Sequence, residues 1–228
     1  MTADTMTYVF GYAGLLLLVV GAAVAVTLIA ADPSSGLRLS YGRYVGELEK
    51  LCRFLLLDRT GASIARLQLI GIGLTPVIAF VLDDFIYVLL APPIALAPYF
   101  VLKSKADERV QRLEDQLDSW LLLLSNALKA TPSLGEAIAS SAKLMRPPMG
   151  EELDLALKEM KLGTPLDQAI LNMSTRIGSP SISSALATVL VGRQTGGDLP
   201  KIMEESAATL REMARLEGVV RTKTAEGE

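Results

Sequence analysis

The sequence contains no histidine at all. That removes Ser-His-Asp and Cys-His nucleophile systems and every His-based metal site. It has one cysteine, Cys52, which excludes an internal disulfide framework and a Cys-rich zinc site. Set among apolar neighbours, that thiol is expected to be inert packing. No G-x-x-x-x-G-K-[ST] loop occurs, so the chain lacks a Walker phosphate cradle. Gly71-Ile72-Gly73 lacks the third glycine of a dinucleotide fingerprint and suits close helix packing in a membrane instead. Net charge is −3, which offers no bulk attraction to nucleic acid. Aromatics make up only 5% of the chain. What it has instead is apolar aliphatic surface: half of its 228 residues are hydrophobic, and mean hydropathy is +0.38. That balance fits a chain partly embedded in lipid and partly exposed to water.

Tyr8 to Ala31 carries no charged residue and ends at Asp32-Pro33. Roughly 20 helical residues cross a hydrocarbon core, so residues 1–31 are expected to hold a transmembrane helix. Tyr8, Phe10 and Tyr12 sit where an interfacial aromatic belt would lie. A cleaved signal peptide would need a basic leader; residues 1 to 7 offer only Asp4, so an uncleaved span is expected. Residues 32–63 form a basic linker with Arg38, Arg43, Lys50, Arg53 and Arg59, followed by Arg66. Positive charge gathers on the cytoplasmic side, which places the N-terminus outside. Within the linker, Val45, Leu48, Leu51, Leu55 and Leu56 share one helical stripe. It predicts either an amphipathic helix against membrane or partner, or a simple connector. Residues 64–102 form a second apolar block, divided by Asp83-Asp84. Two carboxylates at mid-bilayer are costly, so they mark the outer turn of a transmembrane hairpin. It re-emerges at Lys103 and Lys105, again basic and again inside.

From residue 103 the character changes: 16 basic and 18 acidic residues alternate with apolar positions spaced at three and four. The first run, Lys105 to Lys129, carries Val110, Leu113, Leu117, Trp120, Leu121, Leu124 and Leu128 on one face. Ser133 with Glu136 predicts a capping box for a second helix ending near Met145. A third spans about 150 to 162. Thr164 is expected to cap the fourth, with Pro165 at its first position. A fifth covers about 181 to 194, and Asp198 caps a sixth that runs to about Lys223. The expectation is an all-α protein: three transmembrane helices plus a six-helix bundle over 103–228. The likeness of Ser133-Leu134-Gly135-Glu136-Ala137-Ile138 to Thr164-Pro165-Leu166-Asp167-Gln168-Ala169-Ile170 fits an internal repeat, or simply two well-made helix starts.

No constellation for catalysis stands out. Glu108–Arg112, Asp154–Lys158 and Glu212–Arg215 have the spacing of solvated helix-surface pairs. The acid pairs Glu114-Asp115, Glu151-Glu152 and Glu204-Glu205 bring oxygen ligands, but adjacent helical residues diverge by about 100° and chelate poorly. The most individual stretch is Thr195-Gly196-Gly197-Asp198, a glycine turn before a capped helix. It is either a tight helix–helix turn or a partner contact. With the loop at Arg146 it makes up the candidate partner-binding set: Arg146, Thr195, Gly196, Gly197 and Asp198.

Residues 109 to 228 resemble the type II secretion system F domain. The likeness lies in Gln116-Leu117-Asp118, Leu121 to Leu128, Pro132-Ser133-Leu134-Gly135-Glu136-Ala137 and Gly163-Thr164-Pro165-Leu166-Asp167-Gln168-Ala169. It continues in Gln194-Thr195-Gly196-Gly197-Asp198-Leu199 and Lys223-Thr224-Ala225-Glu226-Gly227. The membrane half looks like the TadB branch, the inner-membrane platforms of Tad (Flp) pili. The resemblance implies a multi-pass protein of a bacterial or archaeal inner membrane with its F domain in the cytoplasm. It implies no enzymatic activity and no cofactor. Implied partners are a hexameric secretion ATPase, a TadC-like paralogue, pilin and the lipid bilayer, in a homo- or hetero-oligomer. Two departures stand out. Gln194 occupies a position where many F domains have Glu, and relatives continue past the Ala-Glu-Gly stretch into further spans, whereas this sequence stops at Glu228. The rival expectation is a membrane-anchored helical signalling or relay module, which calls for a phosphate or phosphoacceptor site.

Overall fold

The computed structural model describes residues 36–57, 59–81 and 91–225. Among them are eight helices and no strand, so the described part of the chain is all-helical. They are α1 (Gly36–Phe54), α2 (Gly61–Val81), α3 (Ala91–Ala130), α4 (Leu134–Ala142), α5 (Met149–Lys161), α6 (Leu166–Ile177), α7 (Pro180–Thr195) and α8 (Leu199–Ala225). The chain divides into two compact units, Met1–Ala106 and Asp107–Glu228. The span expected over residues 1–31 and the Asp83-Asp84 turn lie outside the described residues. Among the described residues no helix is long and apolar enough to cross a membrane.

In the first unit, the apolar stripe of α1 is spent inside the protein. Leu48 and Cys52 are buried against Ala65 and Leu102, with Tyr44, Val45, Leu51, Ile64 and Tyr99 packed around them. The stripe therefore meets α2 and the start of α3. Leu56, expected on that stripe, lies beyond the helix end in a left-handed conformation (φ 53°) and is 46% exposed. The amides of Leu56 and Leu57 bond back to the carbonyls of Arg53 and Cys52, which closes α1 as a Schellman turn without glycine. The α1 and α2 backbones touch at Gly61, where a Cβ would stand 2.5 Å from the Glu49 nitrogen. The Glu49 carboxylate accepts the Gly61 N–H at 2.6 Å and caps the first turn of α2.

The most visible difference from expectation is α3. A hairpin arm ending near Leu102 and a separate helix from Lys105 were expected; one 40-residue helix runs through both, with Pro98 inside it. The change of polarity at Lys103 marks a change of surroundings and contains no helix breaker. A proline within a helix removes one hydrogen bond and is compatible with continuation.

In the second unit, consecutive helices from α4 to α8 pack against one another. The expected face of α3 supplies the middle of the core: Leu113, Leu117, Trp120, Leu121 and Leu124 are at most 1% exposed. Ile138 of α4, Leu153 of α5, Met173 of α6, Leu186 and Val189 of α7 and Met203 of α8 are buried as well. Burying side chains of this size contributes about 1.5–3 kcal/mol each before entropy is set against it. Local signals set the boundaries. Ser133 and Ser179 accept the N–H of Glu136 and Ile182, at 3.4 and 3.2 Å. Gly178 and Gly196 end α6 and α7 in left-handed conformations, φ 71° and 66°. Two caps differ from expectation. The Glu136 carboxylate accepts from the Thr131 hydroxyl at 2.9 Å, so the Ser133–Glu136 box closes on one side only. Pro165 occupies the N-cap of α6 in place of Thr164, with no side-chain cap bond.

Candidate partner surface

Thr195 to Asp198 form the turn between α7 and α8, and all four are exposed. Their polar groups serve the turn itself. The Thr195 hydroxyl donates to the Val191 carbonyl at 3.0 Å, the Gly197 N–H to Gly192 O at 3.3 Å, and Asp198 Oδ1 accepts the Lys201 N–H at 3.3 Å. The tightest point lies earlier, at Gly192. A Cβ there would be 2.9 Å from Leu199 Cδ2 and 3.3 Å from Ile202 Cδ1, so α7 and α8 close on this glycine. Gly192 has no motif signal in sequence, since it looks like any glycine inside a helix.

Arg146 sits on the α4–α5 loop and is exposed. The loop is held from below by Gln116, whose Nε2 donates to Pro147 O at 3.1 Å and whose Oε1 accepts the Met149 N–H at 3.0 Å. Gly150 then passes so near the loop that a Cβ would be 2.7 Å from Met145 O. Among the described residues no hydrogen bond or ion pair joins Arg146 to the turn at 195–198. The five candidate residues lie on two exposed loops.

Glu151, Glu152 and Glu204 from the acid pairs have structural partners. Glu152, whose side chain is 1% exposed, is gripped from two helices: Arg109 Nη2 donates at 3.0 Å and Arg176 Nε at 2.8 Å. Arg109 also bonds Glu151 at 2.7 Å, and Arg176 bonds Glu159 at 3.0 Å. The network ties α3, α5 and α6 together. Sequence spacing missed it because its members lie 17 to 43 residues apart. Glu204 accepts from Lys129 and, at 3.0 Å, from the Ser125 hydroxyl, which links α8 to α3. These two hydrogen bonds, Lys129's first, hold its carboxyl below the ordinary range. Among the described residues no group of three His, Cys, Asp or Glu side chains is placed to hold a metal ion.

An open groove of about 620 Å³ lies between α7 and α8. Small residues form its α7 wall (Ser181, Ser184, Ala185, Thr188), and Ile202, Leu210 and Met213 form the α8 wall. Beside it, sharing Ser181, Leu210 and Met213, lies a hollow of about 350 Å³ edged by Glu114, Asp115 and Asp118. An open, apolar groove with an acidic margin suits a helical partner better than a small molecule.

The order of α3 to α8 and the region they cover can be set beside known proteins. Residues 120–227 match the family of the type II secretion system (T2SS), protein F. The matched stretch is just under half of the 228-residue chain and falls within the second unit. It includes the end of α3, all of α4 to α8 and the turn at Thr195 to Asp198. Over these residues the helical bundle is similar to secretion protein F. No curated protein and no solved structure matches the chain.

Proposed function

We propose that this chain is a non-enzymatic platform of a Tad (Flp) pilus machine in the inner membrane. In this role it couples a hexameric secretion ATPase in the cytoplasm to assembly of pilin, alongside a TadC-like paralogue. The observation that carries the reading is the protein F match over residues 120–227. Two further observations support it. The sequence has no Walker loop of its own, so hydrolysis belongs to a partner. In the first unit, Leu67, Ile70, Leu96 and Phe100 are 55–70% exposed, an apolar surface that suits lipid or neighbouring spans. Arg146 and the turn at Thr195, Gly196, Gly197 and Asp198 are the proposed contacts with the ATPase. The membrane segments are proposed at 1–31 and 64–102, with the F domain over 103–228 on the cytoplasmic side.

The test is co-purification of the full chain, in detergent, with a secretion ATPase from the same organism. Nucleotide-dependent association is expected, weakened by Arg146→Glu, together with loss of pili when the gene is deleted. No association in the ATP-like, ADP or empty state of the motor would sink the coupling role.

A further inference from the structure

Helices α1, α2 and α3 come together at one end of the first unit. Glu49 of α1 accepts the Gly61 N–H that starts α2, at 2.6 Å. Leu48 and Cys52 of α1, Ala65 of α2 and Leu102 of α3 share one buried cluster. Further along, a Cβ on Gly71 of α2 would stand 3.1 Å from Ile94 Cγ2 of α3. The pairing of 65 with 102 and of 71 with 94 makes α2 and α3 antiparallel. The end of α1, the start of α2 and residues 102–105 of α3 therefore lie together.

The exposed side chains change character at this end on both α2 and α3. Leu67, Ile70, Leu96 and Phe100 present apolar surface along the two helices. At the end itself stand Arg59, just before α2, Arg66 on α2, and Lys103 and Lys105 on α3, all exposed. On α3 the step takes one turn: at 1.5 Å per residue, Phe100 and Lys103 lie about 4.5 Å apart along the axis.

These cations are uncommitted. Lys50 and Arg53 of α1 are paired on their own helix, with Glu47 at 2.9 Å and Glu49 at 3.2 Å. Among the described residues Arg59, Arg66, Lys103 and Lys105 have no ion pair. Arg66 Nε donates to the Ala62 carbonyl at 3.3 Å, within its own helix, which leaves its charge unneutralised. Asp58 adjoins Arg59 in sequence, so the basic residues remain in excess.

We infer that this end of the first unit binds anionic phospholipid, with headgroup phosphates at Arg59, Arg66, Lys103 and Lys105 and acyl chains against the apolar side chains of α2 and α3. Charge and apolar surface adjoin in the order in which a phospholipid presents phosphate and hydrocarbon. An acidic soluble protein would neutralise the cations and leave the apolar surface in water. A zwitterionic lipid would cover that surface and bring no net counter-charge. The inference rests on the membrane reading proposed above and adds the class of lipid.

The test is native mass spectrometry of the full chain in detergent, titrated with phosphatidylglycerol or phosphatidylcholine at matched ionic strength. Phosphatidylglycerol is expected to bind about tenfold more tightly, since each basic residue near an anionic surface is worth about fivefold. Arg59→Gln with Arg66→Gln, and Lys103→Gln with Lys105→Gln, should each remove about fivefold or more of that preference. Lys143→Gln with Lys161→Gln, exposed on the second unit, should leave it unchanged. All these residues are exposed, so the variants should fold; unchanged thiol labelling of the buried Cys52 checks the first unit. Inorganic phosphate at the same ionic strength should not displace the lipid. Equal affinity for the two lipids, a preference indifferent to both basic pairs, or displacement by inorganic phosphate overturns the inference. Release of the chain from membranes by salt alone would sink the membrane reading and this inference together, whereas loss of the lipid preference alone leaves that reading standing.

Discussion

Arg211 Nε donates to Asp118 Oδ2 at 2.8 Å, joining α8 to α3 across 93 residues of sequence. Seven residues further along α3, Ser125 meets Glu204, seven residues earlier on α8. The two helices are therefore an antiparallel pair in register over two turns. The entry of α3 into its unit and the end of α8 point toward the same end of that pair. A displacement along α3 would reach α8 through these side chains, which gives the proposed coupling a physical route.

The buried network predicts the largest single effect. Glu152 is a carboxylate shared by Arg109 and Arg176. Breaking a buried ion pair by deleting one partner costs about 3–5 kcal/mol, because the remaining charges stay desolvated. Glu152→Ala should destabilise the second unit by that order, with Glu151→Ala much milder, since the Glu151 side chain is 38% exposed. Trp120, the sole tryptophan, lies in the core of this unit, so denaturant unfolding followed by its fluorescence measures both.

Two glycines should respond differently to the same substitution. At Gly150 the obstacle is a backbone carbonyl: Met145 O lies 2.7 Å from the point an added methyl carbon would occupy. Backbone yields poorly, so Gly150→Ala should cost about 1–3 kcal/mol. At Gly192 the obstacle is the end of the flexible Leu199 side chain, 2.9 Å away. There the better helix propensity of alanine, about 1 kcal/mol, offsets the repacking, and the net change should stay within about 1 kcal/mol. Equal losses at both sites would contradict this account.

Glu204 gives the link between α3 and α8 a pH dependence. Its carboxyl is held low in the folded state by Lys129 and Ser125. A depressed acid stabilises the fold above its unfolded value and loses that contribution as pH falls through the folded one. Wild type should therefore exceed Glu204→Gln in stability at pH 7, and the two should converge as pH falls below the usual carboxylate range. The side chain is 43% exposed, so the difference should be small and should shrink in salt.

Cys52 reports on the first unit. Burial, and secondarily the nearby Glu49 charge, push its thiol up, so little thiolate exists near neutrality. Labelling by a thiol reagent should be about a hundredfold or more slower than in denaturant, limited by opening of this unit. Leu48→Ala leaves a cavity beside it and should speed labelling while Trp120 fluorescence stays unchanged.

The sequence by itself determined the helices. Ser133, Ser179, Gly178 and Gly196 act within four residues of themselves, so the starts and stops they set needed no knowledge of the rest of the chain. The core face of α3, from Leu113 to Leu128, followed from spacing alone. The turn at Thr195 to Asp198 was legible too, but not that its polar groups are occupied by the turn itself. Only the tertiary structure decided what each apolar stripe meets. It turned the α1 stripe inward onto Ala65 and Leu102, joined two expected helices into α3, and left Met213, Leu216 and Val219 uncovered. It also placed Glu152 between two arginines and closed α7 on α8 at Gly192. The physical reason is range: helix formation rests on contacts within a turn, whereas burial, ion pairing and close approach depend on which distant residues meet.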